Sequence, residues 1–313
     1  MTNYQLPIAR YFPLESGRYE VKPGMMPLGS CFGNGVADGM VFQIDENFPI
    51  YRESKVLARA ERLEKYYQTY NYTDFVATAV GRLMVARLVC EHPQFFQLEQ
   101  RDGFLALHCK LTEETLLFDG DYKLQDGSSY VSTLDALASQ VQEDITVICR
   151  DGGTNWVSAI HLCFPNHWSA EDKIGRDFAL VHSPVAGMEK INRCANAIVN
   201  TMIVREPMVR FAWGLSTDNC LNHHPGNMQV GRSFDIDNPR LYLRIERQVI
   251  WGLPECDAAM FTIRTYFRNV NEIRGDEVML ELLVSAIRSM GNESLLYKGL
   301  VDCRDAILRW LDV

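Results

Sequence analysis

Side chains that could bind a charged ligand are concentrated between residues 163 and 185. Lys173 and Arg176 stand three residues apart. If a short helix follows the Pro turn in this stretch, both side chains lie on one side of it and suit a ligand that carries two carboxylates or phosphates. A solvated helix face that pairs with Glu171 and Asp172 explains the same pattern.

Several histidines could coordinate a metal ion. His182 lies in an apolar segment just before a Ser-Pro pair, His161 lies in the middle of a predicted strand, and His167 lies on a Pro turn. His223 and His224 form a loop pair without a carboxylate or a cysteine at the spacing of a metal site. Each of them is equally compatible with a hydrogen-bonded structural role, so the pattern alone leaves the ligand open.

Two adjacent carboxylates, Glu143 and Asp144, stand at the predicted end of a helix that begins at Ser132. A predicted strand follows, so these side chains could point toward a pocket, although a solvated helix end explains them as well. Glu246 and Arg264 lie in two predicted strands, where they could form a cross-strand ion pair.

Motifs of several enzyme classes are missing. The sequence has neither the GxSxG of a nucleophile elbow nor the HExxH of a zinc protease. A glycine-rich run over residues 29–35 lacks the GK[ST] end of a P-loop. Nine cysteines are scattered without a CxxC pair, which argues against a zinc knuckle, a thioredoxin-type redox pair, an iron–sulfur site and covalent haem.

Composition narrows the class further. The 313 residues carry 31 basic and 40 acidic side chains, a net charge of −9. This balance argues against binding to nucleic acid or to an anionic membrane, because both need a basic face. We find no signal peptide and no apolar run of about 18 residues, the length that a membrane span needs. With an odd number of cysteines, the chain is predicted to be a soluble cytoplasmic protein.

The order of the elements predicts an α+β fold with an antiparallel sheet, because hairpins alternate with helices and no βαβ unit repeats. We expect an irregular start over the first fifty residues. The predicted helices are 53–70, 74–90, 132–144, 187–204, 276–290 and 294–311. The predicted strands are 145–149, 156–164, 240–246 and 258–267, with short strands in the connection 91–112.

Several segments, in the same order, resemble the α subunit of haem-dependent oxidative N-demethylase, or dimethylamine monooxygenase. They are CFPNHW at 163–168, EDKIGR at 171–176, HSPV at 182–185, RIERQ at 244–248, LP at 253–254 and FTIRTY at 261–266. The resemblance covers about residues 142–266, with a weaker trace at Asp45 and Lys55. It departs from the family pattern at Ala186, at Ala212 and over 249–252.

The resemblance implies a PAS-like core that binds haem b without a covalent link. It further implies that the protein uses O2 to demethylate a small amine oxidatively. The electrons would come from a flavin and iron–sulfur reductase, with which the chain could form a hetero-oligomer. A PAS-like haem or small-ligand sensor without oxygenase activity and a cofactor-free interaction protein are the alternatives. We expect an N-terminal segment and helical layer over 1–140, the core over 141–270 and C-terminal helices over 271–313, together forming one elaborated domain.

The resemblance also assigns roles to residues. His182 becomes the preferred axial ligand of the haem iron, with His161, His223 and His224 as the other candidates. Lys173 and Arg176 become candidates for the haem propionates. Glu143 and Asp144 are expected to bind the ammonium of the substrate or to relay protons. Glu246 and Arg247 match a charged pair of the family whose role is either haem binding or architecture, and we predict both as haem-site residues.

Overall fold

A computed structural model describes residues 7–125, 128–227 and 231–311 of the chain. The ends of the predicted N- and C-terminal segments, residues 1–6 and 312–313, lie outside this description. Ten strands are formed by the described residues: β1 (Met26–Pro27), β2 (Tyr67–Thr69), β3 (Phe96–Arg101), β4 (Phe104–Cys109), β5 (Glu114–Phe118), β6 (Asp144–Asp151), β7 (Thr154–His161), β8 (Met208–Ser216), β9 (Tyr242–Leu253) and β10 (Ala258–Asn269).

Seven of these strands form one antiparallel sheet in the order β1-β8-β9-β10-β6-β7-β2. The long hairpin of β9 and β10 lies at its centre and pairs Leu253 with Ala258 at the turn and Tyr242 with Asn269 at the open end. The remaining strands, β3, β4 and β5, form a separate antiparallel sheet. The predicted antiparallel α+β architecture is therefore confirmed, whereas its PAS-like character stays a prediction.

The helices are α1 (Phe48–Tyr66), α2 (Asp74–Glu91), α3 (Thr133–Ala138), α4 (Ala170–Lys173), α5 (Phe178–His182), α6 (Glu189–Asn192), α7 (Ala195–Val204), α8 (Val270–Ile273), α9 (Glu277–Arg288), α10 (Asn292–Lys298) and α11 (Arg304–Leu311). Side-chain caps define where α2 and α3 begin. Thr73 accepts a hydrogen bond from the backbone N–H of Val76, and Ser132 accepts one from Asp135.

Side chains alternate between the two faces of the large sheet, as the pleat requires. On one face Val147, Val249 and Met260 pack in the main core, which includes residues of α2, α3 and the small sheet. On the other face Ile148 and Ile250 line a cavity that α5 and α7 help to enclose. The sheet therefore separates a closely packed core from the large cavity.

A second core lies at the end of the sheet near the C-terminal helices. Leu243 and Ile245 of β9 pack there with buried side chains of α8, α9 and α11, such as Leu283 and Ile307. This packing ties the C-terminal helices to the sheet. The predicted boundaries after residues 140 and 270 stay predictions, although β1 and β2, from the predicted N-terminal segment, pair into the same sheet as β6 to β10.

Three predicted helices are shorter or divided. The one over 132–144 ends at Ala138, and Asp144 already belongs to β6. The one over 187–204 is divided into α6 and α7. The one over 294–311 is interrupted after Lys298, where Gly299 has a φ of 68°. A left-handed residue cannot continue an α-helix, which explains the last interruption.

One long strand, β8, was missed by the sequence analysis. Its apolar residues alternate at Val209, Phe211, Trp213 and Leu215, which is the period of a strand. Arg210 and Gly214, interspersed among them, line the cavity together with Phe211, Trp213 and Leu215. The alternation was the signal that could have revealed the strand.

Candidate functional site

A cavity of about 1290 Å³ lies on the second face of the large sheet. Its volume exceeds the roughly 300–1,000 Å³ of common small-molecule pockets. The apolar lining includes Ile148, Ile250 and Phe261 from the sheet and Ile198 and Met202 from α7. Such a lining suits a large ligand that is mainly apolar.

His182 lies at the end of α5 and lines this cavity. Its Nδ1 lies 2.7 Å from the carbonyl oxygen of Phe178. Because a carbonyl can only accept, Nδ1 carries the proton and donates it, and Nε2 keeps its lone pair. Among the described residues, Nε2 has no hydrogen-bond partner. The imidazole is thus oriented as a metal-ligating histidine usually is, with the other nitrogen held by a backbone carbonyl.

The protonation state of His182 supports the same role. Burial lowers its pKa to about 4 against the opposing effect of the hydrogen bond to Phe178, and the positive charges of Arg210 and Lys173 lower it further. The ring is therefore neutral at pH 7. The Phe178 ring lies 4.3 Å away, centroid to centroid, and helps to fix its plane.

Cationic side chains lie on the same cavity wall. Lys173 is mostly buried, and its Nζ donates a hydrogen bond to the carbonyl oxygen of Val181 at 2.8 Å. Arg210 of β8, Arg232 and Lys298 also line the cavity. The Nε atoms of Arg210 and Arg232 are buried and have no hydrogen-bond partner in the described parts of the chain. Buried donors without partners indicate room for an anionic ligand group.

An acidic side chain, Glu246 of β9, lines the same cavity, and its charge acts on Arg210 and Lys298. Its Oε2 accepts a hydrogen bond of 3.1 Å from Nε2 of Gln248, the next residue on the same face. Oε1 of Gln248 is buried without a partner. Glu246 and Gln248 therefore present oxygen atoms that could accept hydrogen bonds from a cation in the cavity.

His167 lines the cavity in an unusual backbone conformation, with a φ of 62°. Its N–H donates to the carbonyl oxygen of His223 at 2.9 Å, and the two imidazole rings stack with centroids 5.1 Å apart. Burial lowers the pKa of His167 to about 4, and the charge of Arg232 adds to this effect. Residues with such a strained backbone often mark functional sites. The lowered pKa makes His167 a second neutral imidazole in the cavity.

Glu143 and Asp144 are not brought to the cavity. Both are fully buried, and neither lines the cavity. Glu143 accepts the N–H of Gln43 at 2.8 Å, and Asp144 accepts the N–H groups of Cys163 and Phe164, each at 2.8 Å. The predicted helix end was wrong because these hydrogen bonds hold the segment against the sheet.

Arg176 and Arg247, which were also predicted as site residues, lie away from the cavity lining. Arg176 lies beyond the end of α4 and is exposed, because Gly175 with a φ of 72° turns the chain away. Arg247 lies on the face opposite Glu246 and donates to the carbonyl oxygens of Asp38 and Met40. The predicted ion pair of Glu246 with Arg264 was also wrong, since Glu246 lies across from Thr265.

Arg264 instead belongs to a buried polar cluster on the core side. Its Nη2 lies 2.7 Å from Oδ2 of Asp45, and its Nε lies 4.0 Å from Oε1 of Glu143. Lys55, also fully buried, donates to the carbonyl oxygens of Ala138 and Glu143. Buried charges need partners. Asp45 and Lys55, where the sequence weakly resembles the family, therefore have a structural role in this cluster.

One group of the described residues has the composition of a metal site. Asp144, His161 and Cys163 place their ligand atoms within 4.8 Å of one another. However, both oxygens of Asp144 already accept backbone N–H groups, and Nε2 of His161 pairs with Asp135 at 3.2 Å. Burial raises the pKa of Cys163, which keeps its thiol protonated. The group is satisfied by protein hydrogen bonds, and His161 lies outside the cavity lining.

The His223–His224 pair is accounted for in a similar way. Nε2 of His223 lies 2.8 Å from Oδ1 of Asp218, and Nδ1 of His224 accepts the N–H of Gly226 at 3.0 Å. The cavity lining includes neither residue. Among the four histidines proposed as ligands, His182 alone belongs to that lining.

We predict that Glu143 and Asp144 contribute stability that falls as the pH rises through the acid range. Burial raises the pKa of Glu143 from 4.5 to about 7 and that of Asp144 from 3.8 to about 6. The folded state therefore holds protons that the unfolded state has released, so stability is greatest below the unfolded values and is lost as the pH rises through the folded ones. The measurement is the free energy of unfolding in urea at pH 4.5 and at pH 8. We expect the decrease between these two pH values to be smaller in Glu143→Gln by on the order of 2 kcal/mol.

Glu293→Gln, which changes an exposed glutamate, provides the matched control and should keep the pH dependence of the unmodified protein. If Glu143→Gln kept it too, a titrating Glu143 would be ruled out as its source.

Among the described residues, none of the helices combines the length and apolar character of a membrane-spanning segment. The fold and cavity define an α+β protein with an apolar chamber, the free Nε2 of His182 and a cationic wall. This is the type of site that holds a large, mainly apolar prosthetic group with acidic substituents.

The chain belongs to the family described as haem-dependent oxidative N-demethylase, alpha subunit-like, whose model matches residues 36–308. The match covers most of the chain and includes β8, α10 and the start of α1, well beyond the segments that first showed the resemblance. The family indicates a haem-dependent oxidative enzyme of the oxygenase type, and its name indicates one subunit of a larger assembly.

The cavity residues fit a haem. His182 offers a free Nε2 in an apolar wall, as an axial ligand requires. The unpartnered Nε of Arg210 and the ammonium of Lys173 lie near His182, since both charges act on its pKa. They can take the propionates in place of the exposed Arg176. Of the positions where the sequence departs from the family pattern, Ala212 and Ile250 line the cavity.

Arg210, Arg232, Lys298 and Gln248 were not identified as site residues from the sequence. Arg232 and Lys298 lie outside the stretch 163–185, in a loop and in a C-terminal helix. Arg210 and Gln248 belong to neighbouring strands and pair directly, so the sheet register brings them together. Only the alternation of β8 could have indicated that Arg210 faces a pocket.

Proposed function

We propose that this protein is the haem-binding subunit of a monooxygenase that removes a methyl group from a small amine. The observation that carries the proposal is the free Nε2 of His182 in the wall of a large apolar cavity. Membership of the haem-dependent oxidative N-demethylase family supports it. We also propose that the sheet, with its cavity on one face, is a PAS-like haem-binding core.

The overall reaction requires O2, two electrons and two protons. One oxygen atom enters the methyl C–H bond, and the other leaves as water. The resulting carbinolamine breaks its C–N bond to give formaldehyde and the smaller amine. Haem b supplies the activation of O2 when it is bound, and the electrons come from a separate flavin and iron–sulfur reductase.

The side chains of this protein have three tasks in the proposal. His182 binds the haem iron through Nε2, while Lys173 and Arg210 bind the propionates. Glu246 binds the ammonium of the substrate, the task that the sequence analysis gave to Glu143 and Asp144. His167, neutral at pH 7, can accept a proton from the substrate amine or from a bound water.

The apolar lining from α7 and the sheet excludes water from the reacting methyl group. The free thiols of all nine cysteines support the expected cytoplasmic setting, because reduced cysteines are typical of that compartment. We propose that the reductase binds this chain in a hetero-oligomer.

The test is to reconstitute the protein with haem, supply a flavin and iron–sulfur reductase pair with O2, and measure formaldehyde released from dimethylamine. We expect formaldehyde in proportion to electrons delivered. A protein that binds haem and accepts electrons, but releases no formaldehyde from any methylamine, would instead be a haem-binding sensor.

A further inference from the structure

The cationic wall carries more positive charge than a haem and Glu246 together require. We define this wall as Arg210, Arg232 and Lys298. The charge of Glu246 acts on Arg210 and on Lys298, and Lys298 also feels the charges of Arg210 and Arg232. Lys173 adds a further cation near His182. If Lys173 and Arg210 bind the two propionates, Arg232 and Lys298 remain beside the single carboxylate of Glu246. Within this group of five side chains and two propionates, one positive charge is therefore unbalanced.

Arg232 is held in place by its neighbours. Its Nη2 donates to the carbonyl oxygen of Tyr297 at 3.4 Å, and its Nε is buried without a partner. Gly299 leaves the space that this side chain fills, because a Cβ on Gly299 would lie 2.5 Å from Cδ of Arg232. The guanidinium is thus fixed against α10 with donors that the described residues do not satisfy.

Lys298 is held in the same region. Its Nζ donates to the carbonyl oxygen of Trp213 at 2.7 Å and lies 5.5 Å from the centroid of the Tyr297 ring. Two N–H groups of the ammonium remain for a ligand. Burial lowers its pKa to about 8, partly offset by Glu246, so most of the side chain is charged at pH 7.

Glu246 and these two cations form neighbouring sites of opposite charge. A bare dialkylammonium would be attracted by Glu246 but repelled by Arg232 and Lys298. A molecule that carries an ammonium and a carboxylate a few bonds apart matches both. His167 adds no positive charge here, because its imidazole is neutral at pH 7.

We propose that the substrate is a zwitterionic N-methylated amino acid, whose ammonium binds Glu246 and whose carboxylate binds Arg232 and Lys298. This inference rests on the proposed demethylase function and names its substrate class. The carboxylate anchors the molecule, and the N-methyl group then faces the apolar part of the cavity.

The test compares three ligands by isothermal titration calorimetry, with and without haem. They are N-methylglycine, its methyl ester and dimethylamine, which share a secondary amine but differ in the carboxylate. We expect N-methylglycine to bind at least about tenfold more tightly than the other two, as a charge-assisted hydrogen bond to a guanidinium allows. Equal binding of N-methylglycine and its ester would overturn the proposal.

Two variants test the residues independently. In Arg232→Gln and in Lys298→Met, we expect affinity for N-methylglycine to fall about tenfold and affinity for dimethylamine to stay the same or to rise, because a repelling cation is removed. Arg101→Gln, in the small sheet, makes the same charge change away from the cavity and should change neither. If both variants kept full affinity for N-methylglycine, the carboxylate site would lie elsewhere and the proposal would be wrong.

The two proposals fail in different ways. Absence of haem uptake, or of formaldehyde from every amine, contradicts the demethylase function, whereas the calorimetric comparison still reports on the carboxylate site. Haem uptake and demethylation of dimethylamine, with no preference for N-methylglycine over its ester, contradict only the substrate class.

Discussion

Replacing His182 with alanine is expected to abolish axial coordination of the haem and to lower formaldehyde formation at least about 100-fold. The reason is that His182 offers the cavity a neutral Nε2, fixed by the hydrogen bond from its Nδ1 to Phe178. The measurement is the absorption spectrum of the reconstituted protein, oxidised and reduced, together with the rate of formaldehyde release. Added imidazole should restore part of the spectrum.

The control for this variant is His108→Ala. His108 lies on β4 in the small sheet and pairs with Thr115 at 2.9 Å, away from the cavity lining. We expect this variant to keep the spectrum and the rate of the unmodified protein. A normal spectrum in His182→Ala would show that another side chain binds the iron.

The second large effect is expected from Gly252→Ala. A Cβ on Gly252 would lie 2.1 Å from the carbonyl oxygen of Ile203, so α7 could no longer pack against β9. Overpacking usually costs about 1–3 kcal/mol, and a contact between two backbones should reach the upper end of this range or exceed it. Urea unfolding measures the loss directly.

Haem affinity should fall as well, because α7 provides Ile198 and Met202 to the cavity lining. Gly153→Ala is the matched control, since a Cβ there meets nothing within 4 Å. Equal stability of the two variants would show that α7 does not depend on its close contact with β9.

Sequence patterns over a few neighbouring residues correctly predicted strands and hairpins, whose formation depends on local sequence. The alternation over 258–267 and the glycines between the two predicted central strands gave β10 and the hairpin of β6 and β7. The candidate site could not be predicted from local patterns, because Lys298, Arg232 and Glu246 belong to separate segments of the sequence. Their proximity results from how α10 packs against β8, which no local period expresses.

Residues with the same chemical character were also separated by the pleat. Glu246 and Arg247 are adjacent in sequence, yet one faces the cavity and the other binds backbone carbonyls on the opposite face. Sequence motifs treat such neighbours as a pair. In a strand, adjacent side chains point to opposite sides, so only the assignment of strand and face could separate them.

The central claim is that the cavity beside His182 binds haem. Titrating haem into the purified protein, followed by reduction with dithionite and addition of CO, tests it most directly. We predict a Soret band that saturates at a single haem per chain and shifts when CO binds to the reduced protein. Absence of a Soret band after reconstitution of the folded protein would contradict the claim.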